Sequence, residues 1–328
     1  MGFFYPQWQK IIRIEVTTPP TTTGYQVMVE IPWQPGMRDD FADLRFSDYA
    51  RTLPYWIETF TTRVTATVWI KLTEINEASR EFFCYFGNGG AVSESSGANT
   101  FLKWADGTSL AGFDYCNTAT YRTTNGYIEH YAPHFMDMCL WNMGSLTEYI
   151  IDGQVREHTR PTGAAYCGFA GKRPLDNSNT SNCVLFSFGD VTNGGYEYML
   201  YNAGWAGVGV VASQTVDTWY AFKFVISGNT LGIGYADINA THATTYRTQR
   251  DATLSSGVAA GIYSYGDSGQ GYRNVRIRSY QSTEPTCTPV ESGINTAWYI
   301  GVLRAKHVLH ITLTAVQHLT HIDLTWTE

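Results

Sequence analysis

The sequence predicts an all-β chain built from two sandwiches, and three observations carry that prediction. Aromatic residues make up 15 % of the chain and charged residues only 16 %, with 31 glycines and 22 tyrosines. Such a mixture favours short strands and glycine-marked turns over helices. No segment of ten or more residues spaces its apolar positions three and four apart, as an amphipathic helix requires. A chain of 328 residues exceeds one ordinary domain and suits two, each with its own core. The expected architecture is a small N-terminal β-sandwich, a larger jelly roll and a C-terminal β-strand extension.

The first sandwich is expected over residues 1–90. Strand candidates are 8–16 (WQKIIRIEV) and 25–31 (YQVMVEI), separated by TTPPTTTG, whose prolines and glycine suit neither helix nor ladder. In the second of these, Tyr25, Val27, Val29 and Ile31 alternate with Gln26, Met28 and Glu30, which puts one face in a core. Residues 44–47, 55–60, 64–72 and 81–86 supply four more short strands, enough for a small sandwich. Val64, Ala66, Val68 and Ile70 share a face, while Trp69 points the other way. Between these strands runs the densest patterned stretch, residues 37–58 (MRDDFADLRFSDYARTLPYWIE). There Asp43 and Asp48 are expected to bond backbone at turns, and Phe41, Phe46, Tyr55 and Trp56 to build the core.

Residues 91–99 close a glycine- and serine-rich stretch, GNGGAVSESSGAN, that reads as a linker with almost nothing to bury. The second domain is expected over 100–284. Its strand-like segments are 126–130, 148–155, 164–171, 183–189, 196–201, 208–213, 219–226, 230–235, 257–263 and 272–280. WYAFKFVISGNTLGIGY reads as a hairpin. So many strands match a double-sheet jelly roll. Residues 285–328 form the C-terminal segment. There Leu309, Ile311, Leu313 and Ala315 share one face, as do Ile322, Leu324 and Trp326. A sheet that small has no second layer, so it is expected to pack on its own chain or on a neighbour.

Composition narrows the function classes. The net charge of −7 and the absence of a basic cluster argue against a nucleic-acid groove. No apolar run approaches the roughly 20 residues of a membrane span. The N-terminus lacks the charged, apolar, small-residue order of a signal peptide. Either a signal has been removed, or the protein reaches its place without secretion, as virion proteins do. The six cysteines show no CxxC spacing, so neither a zinc nor a redox site is expected. Cys167 and Cys183 flank a polar loop and form the candidate disulfide, with buried free thiols as the alternative.

The ordered motifs FADLRF, LPYWIE, ATVWIKL and FFCYFGN, with Trp8 and Tyr25-Gln26-Val27 ahead of them, resemble the domain of unknown function 2341 family over residues 7–90. Residues 100–284 are similar to the concanavalin A-like or laminin-G-like jelly roll that often follows this module. YRNVRIRSYQSTEPT resembles the closing strand and exit of such domains. The resemblance implies extracellular or surface display and a non-catalytic role in binding or assembly. Lys103-Trp104-Ala105 stands where relatives carry an acidic pair, a departure that weakens any inherited calcium site.

No strand carries the Glu-x-Asp-x-x-Glu spacing that would aim several carboxylates into one cleft, so a glycoside hydrolase is the less favoured reading. His307, His310, His318 and His321 lie three apart in pairs, which on a strand face opposite sides, so no metal site is expected. Asp106, Asp237 and Asp267 are loop or strand-end oxygens without diagnostic calcium spacing, so no cofactor is expected, with calcium as the alternative. Aromatic rings suit sugar stacking, which makes Tyr196, Tyr198 and Trp205, and Tyr265 with Asp267, the candidate carbohydrate-binding residues. Tyr201, Tyr263 and Tyr272 lie beside them, and the alternative for all these tyrosines is packing along the sheets. The function expected first is a non-enzymatic structural or adhesive protein on the surface of a virion or cell. It would be a capsid decoration, spike or tail protein, with partners in a homo-oligomer or the same assembly. A secreted filament subunit or a lectin-like glycan-binding protein is the alternative.

Overall fold

The computed structural model describes residues 5, 7–48, 51–73, 80–157, 166–173, 175, 183–188, 196–201, 205–207, 217–228, 230–238, 245–251, 257–266 and 268–295. For the strands within 183–207, 230–251 and 291–295, backbone pairing alone is described. The fold is all-β and holds two sandwiches, as the composition predicts.

The small sandwich contains β1 (Lys10–Thr17), β2 (Tyr25–Pro32), β3 (Arg45–Ser47), β4 (Tyr55–Thr61), β5 (Thr65–Leu72) and β6 (Glu81–Phe86). One sheet has the order β2-β5-β4. The other has β1-β6-β3 and gains a fourth strand, β22 (Thr286–Asn295), which returns from the far end of the chain to pair antiparallel with β1. The larger domain is therefore inserted between β6 and β22. Ile12, Ile14, Val27, Val29, Phe46 and Val68 fill the space between these sheets. Each apolar side chain so buried contributes on the order of 1.5–3 kcal/mol. Asp43 accepts from the Arg38 and Gly87 amides at 3.0 and 2.7 Å, and Asp48 from the Arg51 amide at 2.6 Å, so both serve turns.

The large sandwich starts with a helix of four residues, α1 (Gly97–Thr100), and continues through β7 (Lys103–Ala105), β8 (Tyr115–Cys116), β9 (Tyr121–Thr124), β10 (Tyr127–His130), β11 (His134–Asn142) and β12 (Glu148–Glu157). Next come β13 (Tyr166–Arg173), β14 (Cys183–Phe188), β15 (Tyr196–Tyr201), β16 (Trp205–Gly207) and β17 (Trp219–Ser227). The domain ends with β18 (Thr230–Ile238), β19 (Thr245–Asp251), β20 (Ala259–Gly266) and β21 (Gln270–Ser279). An eight-stranded sheet, β19-β18-β17-β12-β21-β10-β9 with β7 on β21, faces a seven-stranded sheet, β16-β15-β14-β13-β20-β11-β8. Trp141, Phe169, Phe222, Phe224, Ile262 and Ile277 lie in the core between them. Asn125 (φ 47°) and Gly126 (φ 77°) turn β9 into β10, the backbone that a two-residue primed turn requires.

Residues 91–99 differ from the expected linker. Ala91 and Gly97 are buried. Arg45 donates to the Val92 carbonyl at 2.6 Å, the Ile57 amide to the Ser95 hydroxyl at 2.8 Å and the Ser96 amide to the Tyr55 carbonyl at 2.8 Å. The stretch is a strap on the small sandwich, held by backbone groups that small residues leave accessible. The expected Cys167–Cys183 disulfide is also corrected. Cys167 is buried, and its backbone pairs with Phe188 while Cys183 pairs with Tyr201, at opposite ends of β14. Among the described residues a disulfide joins Cys116 and Cys139, which lie directly opposite each other on β8 and β11.

Trp56 and Trp69 leave the small core and meet the outer face of the eight-stranded sheet. Along β21, Val275 and Ile277 point into the large core, so Arg276 and Arg278 point outward. The Arg276 guanidinium lies 5.3, 4.9 and 5.4 Å from the ring centres of Trp56, Trp69 and Phe101. It stands 2.8 Å from the Glu58 carboxylate, and both side chains are fully buried. Glu58 also accepts from the Trp69 indole at 3.0 Å. Trp104 packs 4.6 Å from Trp56 and stacks on Phe101. The small sandwich thus covers one face of the large one.

Candidate functional site

The opposite face belongs to the seven-stranded sheet. On β11, Cys139 and Trp141 enter the core, so Met136, Met138 and Leu140 lie on the outer side with Ala170 of β13 and with Ala259 and Tyr263 of β20. These six residues are wholly buried or nearly so. Tyr115, Tyr166 and Tyr265 stand partly exposed around them.

One corner of this face joins aromatic and polar chemistry. Tyr166 and Tyr265 are paired across β13 and β20, with ring centres 5.7 Å apart and planes tilted by 59°. Gly266, next along β20, pairs with His134 at the start of β11. Asp137 shares the inward side of β11 with Cys139 and Trp141, and a register shift between His134 and Asp137 separates His134 from that regular alternation. There Asp137 lies 2.9 Å from His130 Nε2, accepts from Asn117 Nδ2 at 2.7 Å and lies 3.2 Å from His134 Nδ1. The other His130 nitrogen lies 2.8 Å from the Gln270 side-chain oxygen. Burial works to raise the Asp137 pKa, but hydrogen bonds from His130, Asn117 and Thr120 outweigh it and hold the carboxyl below the usual range.

His134 is the member of this cluster that meets solvent, with its side chain 49 % exposed. Its Nδ1 donates to the Met136 carbonyl at 3.2 Å, which leaves Nε2 as an acceptor in the neutral ring. The phenol rings and the imidazole lie at neighbouring positions of β20 and β11, the rings on the outer face and the imidazole beside the buried Asp137 carboxylate. A ring face can stack on the apolar face of a pyranose, while imidazole and phenol groups bond its hydroxyls.

Of the residues singled out from the sequence, Tyr265 belongs to this corner and Asp267 lies outside the described residues. Tyr263 and Tyr272, beside them in sequence, are fully buried and take the packing role. Tyr196 and Tyr198 lie on β15, in register through Phe188 and Phe186 with the core residues Cys167 and Phe169. Trp205 of β16 pairs with Tyr201. All three share the sheet with Tyr265, but β14 and β13 stand between β15 and β20. Asp237 is placed as backbone of β18 alone, and the histidines of the tail lie outside the described residues. Asp106 spends its carboxylate on the Thr108 amide and hydroxyl, a turn role. Sequence reading passed over Tyr166 and His134. The signal for His134 is weak, since His-Phe-Met-Asp-Met shows no strand alternation.

A second concave feature lies where the two sandwiches meet. It is a cleft of about 380 Å³ bordered by β2 and β22, with Asp152, Lys223, Arg278 and Glu284 at its base. Its charges are mutually committed. Arg278 holds Asp152 and stands 2.9 Å from Glu284, which also lies 2.7 Å from Lys223.

Three solved structures give the range of likeness. The carbohydrate-binding module CBM66 from Bacillus subtilis is 12 % identical with a TM-score of 0.39, covering 55 % of this chain and 97 % of that one. The GH43 protein BlXynB from Bacillus licheniformis is 12 % identical with a TM-score of 0.41, covering 66 % of this chain and 47 % of that one. This chain therefore spans about half the length of that protein. Sheep galectin-11 is 10 % identical with a TM-score of 0.26, covering 48 % of this chain and 98 % of that one. At these scores the likeness decides neither fold nor ligand, which rest on the geometry above. No curated protein matches the sequence. Residues 40–123, from the turn before β3 through both strap and junction into β9, match the model of the family described as Domain of unknown function (DUF2341).

Proposed function

We propose that the protein is a non-catalytic, lectin-like glycan-binding protein that acts at a cell or particle surface. The observation that carries this reading is the partly buried Tyr166–Tyr265 ring pair on the outer face of the seven-stranded sheet. Commitment of the acids behind this corner and in the cleft between the sandwiches supports a binding role over a hydrolytic one. Asp137 is bonded to His130 and Asn117, and Asp152 and Glu284 are held by Arg278. A general acid needs a proton near neutral pH, and the partners of Asp137 and Glu284 hold these two carboxyls below the usual range. Nothing in the fold favours a virion component over another surface setting, so the glycan-binding alternative is the better supported one.

A glycan array probed with the full chain tests this reading. Binding to a restricted set of glycans, with the glycan recovered intact, is the expected outcome. Release of a shortened glycan would make the protein an enzyme, and an array without hits would remove the glycan reading.

A further inference from the structure

We propose that Arg156, Trp219 and Arg273, on the outer face of the eight-stranded sheet, form an anion-binding site that takes the carboxylate of an acidic sugar. Strand alternation places these residues together. Val155, Tyr220, Ile128 and Tyr272 enter the large core, so Arg156 on β12, Trp219 on β17, Tyr127 on β10, and Gly271 and Arg273 on β21 face outward. Arg156 lies opposite Trp219 on one side and Gly271 on the other. Gly271 leaves room for the rings, since a Cβ there would come 3.1 Å from the Trp219 indole and 3.2 Å from the Tyr127 ring. A register shift in the β12–β21 ladder, with Asn274 at φ 52°, sets Arg273 opposite Gln154. The small sandwich covers this face farther along β21, at Arg276.

Both guanidinium groups are held in place without being neutralised. Arg156 lies 5.0 Å from the Trp219 ring centre and 4.6 Å from that of Tyr127, and Arg273 lies 4.2 Å from Trp219. Arg273 Nε donates to the side-chain oxygen of the buried Gln154 at 2.7 Å. Among the described residues their one ion-pair partner is Asp217, 4.0 Å from Arg156 and 52 % exposed. Elsewhere in this acidic chain Arg13, Arg38, Arg63, Arg122 and Arg276 each stand 2.7 to 2.9 Å from a carboxylate. Burial lowers the pKa of Arg273, and the charge of Arg156 lowers it further. Two like charges thus share one patch, at a free-energy cost that a bound anion offsets.

The chemistry of the patch selects the ligand. A guanidinium fork matches a planar carboxylate through two parallel hydrogen bonds, and aromatic rings packed against the fork fix its plane. Glu129, opposite Gly271 and bound to Arg122 at 2.7 Å, borders the patch together with Asp217. These flanking acids suit one isolated anionic group and repel a polyphosphate backbone. That the carboxylate belongs to a sugar rests on the glycan-binding reading, whereas the anion site stands on its own geometry. It is separate from the tyrosine corner, which lies on the other sheet.

Calorimetric titration of the full chain with oligosaccharides of galacturonic and glucuronic acid, and with their neutral methyl esters, tests the proposal. At least one acid form is expected to bind about tenfold or more tighter than its ester, with an affinity that falls as salt rises. Arg273→Gln is expected to remove that preference, and Arg273→Lys, which keeps the charge without the fork, to retain part of it. Tyr265→Ala is expected to leave the preference unchanged. No difference between acid and ester, or the same difference in the parent chain and Arg273→Gln, would overturn the proposal. Acetate bound as tightly as the oligosaccharides would overturn the assignment to a sugar. Array hits confined to neutral glycans would overturn the proposal and leave the glycan-binding reading standing.

Discussion

Arg276 and Glu58 show how much depends on single residues in this protein. Their charges sit 2.8 Å apart with no solvent exposure, and three aromatic rings surround the guanidinium. Removing one partner strands the other in a dry site, a change that costs about 3–5 kcal/mol. Arg276→Ala is therefore expected to destabilise the chain by that amount in chemical denaturation, and Glu58→Gln in the same direction. Glu284 makes a pH-dependent contribution. Burial works against its charge, but Arg278 and Lys223 more than offset this and bring its pKa down to about 2 from 4.5. A carboxyl depressed in the folded state adds stability above its unfolded pKa, and that stability is lost as pH falls through the folded value. The window runs from about pH 4.5 down to 2, and because the side chain is 38 % exposed, water screens part of the effect. Denaturation midpoints measured across that window are expected to fall less steeply for Glu284→Gln than for the parent chain. At this scale the sequence was informative where alternation operates. Trp69 pointing away from Val68 and Ile70 was legible, whereas its partner Arg276, over two hundred residues later, was not.

The elements were legible where apolar and β-branched runs are bounded by turn residues. The boundaries of β1 to β6 fall within two residues of those read from the sequence, although β3, β5 and β6 are buried on both faces. β11 was missed because Met136, Met138 and Leu140 are covered on its outer side while Cys139 and Trp141 enter the core, so polar and apolar positions do not alternate. β22 was missed because Pro289 and Gly293 read as a joint, although an edge strand tolerates proline. The strap misled for a related reason. Its glycines and serines resemble a flexible linker, but Gly97 is there because nothing larger fits. A Cβ at Gly97 would come 2.3 Å from the Trp104 ring, which Phe101 and Trp56 hold in place. Gly97→Ala is expected to cost about 1–3 kcal/mol, the range for overpacking a closed site. Thermal melts read by near-ultraviolet circular dichroism, which reports the tryptophan cluster, would show it.

As a whole the molecule is two sandwiches joined into one body, with the large domain inserted in the small one and a buried charged and aromatic seam between them. The family match from 40 to 123 straddles that seam instead of stopping at the small sandwich. The unit it marks thus includes Trp56, Trp69, Phe101 and Trp104, the residues that form the junction. Tyr265 alone of the candidate site was legible from the sequence, chosen for its ring and its glycine-rich turn. The rest depends on pairings that no spacing announces: Tyr166 lies opposite Tyr265 only once β13 meets β20, and His134 arrives through a register shift. Calorimetric titration of an array-identified glycan into the parent chain, Tyr265→Ala and Tyr166→Ala tests the central claim most directly. The account predicts that each substitution weakens binding about tenfold or more, as loss of an aromatic stacking surface does, with the melting temperature of the rest of the fold retained. Equal affinity in all three proteins would contradict it and place the glycan elsewhere.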